Sequence, residues 1–136
     1  MASLQRIEGI GKKFAADMAK CGVRTTGGLL EAGCDKKGRR ALAEASGCTE
    51  KQILEWVNRA DLMRVRGVGE EYSDLLEHAG VDTVKELRNR KPENLHAKML
   101  EVNSAKRRRL VRRPPSLSEV ERWVVHAKQL EPVVTH

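Results

Sequence analysis

Apolar residues recur at helical spacing along nearly the whole chain, with polar and charged residues between them. After Gly11, the residues Phe14, Ala15, Met18 and Cys21 fall three or four apart, which places them on one face of a short helix. Gly22 stands where a left-handed C-terminal cap belongs. Thr25 or Thr26 can cap a brief helix through Leu29 and Leu30 to Gly33, and Asp35 can cap the next, which carries Leu42 and Ala45 before Gly47. Thr49 followed by Gln52 has the form of a capping box and opens a helix with Ile53, Trp56, Val57 and Ala60 on its apolar face. Pro92 suits the first position of a helix bearing Leu95, Met99 and Leu100. Ser116 or Ser118 starts a last helix once Pro114 and Pro115 have broken the chain. Nowhere do apolar and polar residues alternate as in a strand bounded by turns. The pattern predicts an all-α protein of roughly eight to ten short helices.

The pattern also repeats. "RIEGIGKKFA", Arg6 to Ala15, returns as "RVRGVGEEYS", Arg64 to Ser73. At this offset of 58 residues Leu4/Leu62, Ile7/Val65, Gly9/Gly67, Ile10/Val68, Gly11/Gly69, Phe14/Tyr72, Met18/Leu76, Gly22/Gly80 and Thr25/Thr83 all correspond. Further on the offset grows to 67: "TEKQILEWVNRA" from Thr49 matches "SLSEVERWVVHA" from Ser116, pairing Trp56 with Trp123 and Ala60 with Ala127. The nine extra residues fall in the region that includes "SAKRRRLVRRPP". Two pseudo-symmetric helical repeats are therefore expected, 1–60 and 61–136, the second with a basic insertion near 104–115, packed as one compact unit. Duplication gives two small units a shared core that neither could easily build alone.

Composition narrows the function classes. A chain of 136 residues with 40% apolar content can bury a core. It contains no apolar run long enough for a membrane span, and its N-terminal residues lack a basic-then-apolar signal pattern, so a cytoplasmic location is expected. Cys21, Cys34 and Cys48 are odd in number, have no CxxC spacing and lie apart from the four histidines, so reduced, semi-buried thiols are expected and neither a metal nor another cofactor. The net charge of +7 is uneven. Residues 1–60 carry +4 and residues 61–136 carry +3, yet "KRRRLVRR" alone contributes +6, which leaves the rest of the second half at −3. Concentrated basicity of this kind can be a footprint for phosphate.

The repeated turn can be read chemically. In "IEGIG" and "VRGVG" an apolar residue closes a short helix, glycine permits backbone angles that a Cβ would forbid, and a new helix starts at once. Ile10 or Val68 would plug the turn from inside. The unpaired N–H groups and positive dipole end of the new helix would then face outward across a bare glycine surface, an arrangement suited to a phosphate oxygen.

The segments "LQRIEGIGKKFAADMAKCGV" and "LMRVRGVGEEYSDLLEHAGV" resemble helix-hairpin-helix motifs, which bind the DNA backbone without sequence preference. Over the whole chain the tandem arrangement is similar to a family of small prokaryotic proteins, a domain of unknown function with duplicated helix-hairpin-helix architecture. The resemblance implies a helix-hairpin-helix type bundle, and it implies that Gly9, Ile10, Gly11, Lys12 and Lys13 form a phosphate-binding hairpin. The second copy departs from the pattern: Gly67, Val68 and Gly69 are in place, but Glu70 and Glu71 stand where the lysines were. Carboxylates in a first turn complement the helix dipole and repel a phosphate, so the second hairpin reads as architectural.

Further basic groups extend the candidate surface. Lys36, Lys37, Arg39 and Arg40 lie near a helix start, and Lys106, Arg107, Arg108, Arg109, Arg112 and Arg113 form the densest cluster, beside two prolines. The four aromatics, Phe14, Trp56, Tyr72 and Trp123, are repeat-equivalent and expected in the core, which leaves little for base stacking. No P-loop, GxSxG, HExxH or two-metal carboxylate cluster is present, so no enzyme activity is expected. The sequence therefore favours a non-enzymatic accessory protein that binds double-stranded DNA through its backbone. The alternative is a protein-interaction scaffold that does not bind DNA.

Overall fold

The computed structural model describes residues 3–7, 9–105 and 111–136. Lys106, Arg107, Arg108 and Arg109 of the basic cluster lie outside the described residues. Those described form a 3-10 turn, Leu4–Arg6, and eight α-helices: α1 Lys12–Lys20, α2 Thr26–Ala32, α3 Lys36–Ser46, α4 Glu50–Leu62, α5 Glu70–His78, α6 Val84–Leu87, α7 Pro92–Ala105 and α8 Leu117–Gln129. The extended pairing described is a single isolated bridge between Ser3 and Thr25. The protein is all-α. No described helix is long and apolar enough to cross a membrane.

Local chemistry sets the helix ends. The side chain of Thr25 accepts from Gly28 N–H at 3.0 Å and that of Asp35 from Gly38 N–H at 2.7 Å, each satisfying a first-turn donor that the helix itself leaves open. Thr49 and Gln52 form the reciprocal capping box, with backbone to side-chain bonds of 3.1 and 3.0 Å. Ser116 and Glu119 form another at the start of α8. At the far end of α1, Gly22 adopts φ 83° and Val23 N–H reaches back to Met18 C=O at 3.0 Å, a left-handed cap that closes the last turn.

The chain divides into two compact units, Met1–Asp61 together with Val133–His136, and Leu62–Pro132. In the first, α1 packs on the 3-10 turn and on α3, and α2 on α3. Leu4, Ile7, Met18, Leu29, Ile53 and Val57 are fully buried there. The C-terminal residues are stitched into this unit. Thr135 N–H donates to Cys34 C=O at 2.8 Å, Arg39 Nη2 donates to Thr135 C=O at 2.7 Å, and Val134 is buried.

In the second unit α8 packs on α6 and α7, and α5 on α7. Their apolar faces join in one core that includes Val65, Leu75, Leu76, Leu87, Met99, Val120 and Val124. The buried Asn103 amide accepts from Val111 N–H at 3.1 Å and donates to Val111 C=O at 3.2 Å. Leu100 turns outward at 40% exposure. It comes directly after Met99, and neighbours in a helix cannot share a face.

Candidate functional site

The two glycine turns have closely matched geometry. Ile10 N–H bonds to Ile7 C=O at 3.1 Å and Val68 N–H to Val65 C=O at 3.0 Å, with Gly9 at φ 93° and Gly67 at φ 90°. A side chain at either glycine would be strained, because a Cβ in this left-handed region crowds the following carbonyl. Each turn rests on a tryptophan. A Cβ added at Gly9 would lie 3.4 Å from Trp56 Nε1, and one at Gly67 would lie 3.1 Å from Trp123 Nε1. Both tryptophans are buried, and each meets a half-buried ring from the next helix after its turn. Phe14 is 5.0 Å from Trp56 at 50°, and Tyr72 is 5.2 Å from Trp123 at 52°. The Tyr72 hydroxyl is held by Arg113 C=O at 2.9 Å.

Gly11 and Gly69 are the N-caps of α1 and α5, both extended and neither supplying a side-chain acceptor. The first-turn N–H groups of both helices are thus uncapped by their own N-cap side chains. The two first turns carry opposite charge. Lys12 and Lys13 are exposed in the first turn of α1, whereas Glu70 is half-buried and Glu71 exposed in that of α5. Ile10 serves as the inner plug. Its side chain is buried and its N–H is spent within the turn, so it offers nothing to a phosphate. Val68 is buried in the same way.

The other basic candidates divide sharply. Lys36 and Lys37 are exposed in the first turn of α3, the helix on which α1 packs, and Arg40 is exposed with its Nε 4.0 Å from Glu50. Arg39 departs from the expectation. It is only 4% exposed, and its guanidinium donates inward to Gly33 C=O at 2.9 Å and to Thr135 C=O. It is a structural cation and leaves the candidate surface. Arg112 is exposed. Arg113 is exposed too, but its guanidinium grips both oxygens of Glu119 at 3.2 and 3.1 Å, so its charge is already answered. Ser116 N–H, with Arg113 behind it, holds the Glu119 carboxyl below the usual glutamate range against the opposing effect of burial. Glu119 in turn raises Arg113 above the ordinary arginine value, first through its hydrogen bonds and then its charge.

One feature of the second unit has no local signature in the sequence. A groove of about 650 Å³ runs along the outer face of α8 beside Arg66 and Gly67, with Arg122, Trp123 and His126 in its lining. Arg66 N–H donates to His126 Nδ1 at 2.9 Å, tying the turn to α8. In the repeat register His126 stands where the first repeat has Arg59, so the two copies differ at this position. Among the described residues no group of three or more His, Cys, Asp or Glu side chains could hold a metal ion.

No curated protein and no solved structure shows significant similarity to this chain. A family model does: residues 8–130 match the family described as Domain of unknown function (DUF4332), and the chain belongs to that family.

Proposed function

We propose that the protein is a non-enzymatic, non-sequence-specific binder of double-stranded DNA, and that the Ile7–Lys13 turn acts as a helix-hairpin-helix phosphate contact in the first of two such repeats. The observation that carries the reading is Gly11. Its φ of −88° is open to any residue, and an added Cβ would meet nothing within 4 Å. Neither conformation nor packing demands a glycine there, and the residue is the N-cap of α1, next in the chain to the exposed Lys12 and Lys13. A bare surface at this point serves a phosphate oxygen drawn by the helix dipole and two ammonium groups. Lys36, Lys37 and Arg40 add positive charge in the same unit.

The acidic first turn of α5 favours a second reading for the other copy. Glu70 and Glu71 complement their own helix and repel phosphate, so the second turn serves as architecture, and a scaffold role remains the alternative for the whole. Fluorescence anisotropy of a labelled random duplex across a salt series separates the two. DNA binding predicts affinity that falls steeply with salt and is reduced equally on all sequences in Lys12→Glu/Lys13→Glu, with the log–log salt slope smaller by about 1 for each lysine in contact. An unchanged affinity in that variant would sink the hairpin assignment and direct attention to protein partners.

A further inference from the structure

We propose that the groove on α8 in the second unit binds a small organic oxyanion, one carboxylate or phosphate group carried on an apolar body. The inference is independent of any DNA contact at the first turn. At about 650 Å³ the groove is within the range typical of small-molecule sites.

Its polar lining is rich in donors. Trp123 is only 2% exposed, and its indole N–H has no hydrogen-bond acceptor among the described residues. The Nε1 atom lies beneath Gly67, and both residues line the groove, so the missing side chain at Gly67 leaves this N–H edge uncovered there. The N–H, without an acceptor among those residues, opens to the groove, where an incoming oxygen can accept from it. His126 adds a second donor. Because its Nδ1 accepts from Arg66 N–H, the proton of the neutral imidazole is assigned to Nε2. The guanidinium groups of Arg66 and Arg122 are exposed and have no carboxylate partner among the described residues.

The acidic lining is weaker. Glu119 is consumed by Ser116 and Arg113, which leaves Glu121 as the one carboxylate that opposes an anion. Val125, 56% exposed, supplies the apolar side of the groove, so a ligand that is both anionic and apolar fits it better than a bare ion.

The chain has two tryptophans, one in each unit, and hence two indole N–H resonances. The test is a titration of the isotopically labelled full chain with phenyl phosphate, benzoate, inorganic phosphate and neutral phenol. The Trp123 indole resonance should move saturably with phenyl phosphate or benzoate while that of Trp56 stays in place. Inorganic phosphate should need a several-fold higher concentration. Arg66→Ala/Arg122→Ala, with its remaining amide spectrum unchanged, should lose affinity by about tenfold or more. Movement of both indoles together, movement of neither, equal binding of phenol, or native affinity in the double variant would overturn the proposal. Equal midpoints for inorganic and phenyl phosphate would overturn its apolar half.

Discussion

A Cβ placed at Gly67 meets Trp123 at 3.1 Å, one at Gly9 meets Trp56 at 3.4 Å, and one at Gly11 meets nothing, so the same substitution separates three uses of glycine. Gly9→Ala should cost about 1–2 kcal/mol from its positive φ alone. Gly67→Ala should cost more, since the tighter indole contact adds to that strain. Gly11→Ala, at an N-cap where glycine is preferred to alanine, should cost no more than about 1 kcal/mol in thermal unfolding and in addition weaken duplex binding. A loss of stability at Gly11 equal to that at Gly9 would show the glycine to be structural. The paired glycines and the apolar plugs Ile10 and Val68 were legible in the sequence, because a left-handed turn and a buried plug each demand a residue type. Arg39 was not. In "DKKGRR" it looks like its neighbours, and its burial depends on a carbonyl 96 residues away, which local spacing cannot reveal.

At the level of helices, most ends were legible for the same reason that they are stable: Thr25, Asp35, Thr49 and Ser116 each answer a backbone donor within three residues. The start of α8 goes further, since Glu119 closes a capping box and also holds Arg113. Its carboxyl is held below the ordinary glutamate value in the folded chain, so its contribution is complete above that value and is lost as pH falls through the lower, folded one. Glu119→Ala should therefore destabilise the protein by about 1 kcal/mol near neutrality and by progressively less in acid. Denaturant midpoints at a series of pH values check this, and a difference that persists undiminished in strong acid would count against the carboxylate as its source. The groove above α8 was illegible because its parts come from a turn and a helix 60 residues apart.

For the molecule as a whole, the count of 26 Lys and Arg overstates the cations open to a partner, since Arg39 faces inward and Arg113 is paired. The chain's last residues, Val133–His136, belong with Met1–Asp61. Removing residues 133–136 takes away the buried Val134, the Thr135–Cys34 pairing and an acceptor of Arg39. It should destabilise the first unit by about 2 kcal/mol or more. Trp56 and Trp123 report on the units separately, so unfolding followed in single-tryptophan variants should shift at Trp56 more than at Trp123. Equal shifts would mean that the two units unfold together.

The same strap sets an order on biosynthesis. A ribosome makes residues 62–132 before it reaches Thr135, so the first unit emerges early but waits, with Arg39 short of one acceptor and the Cys34 carbonyl unmet by its final donor, until the second has been translated. The half of the chain made first is the half completed last.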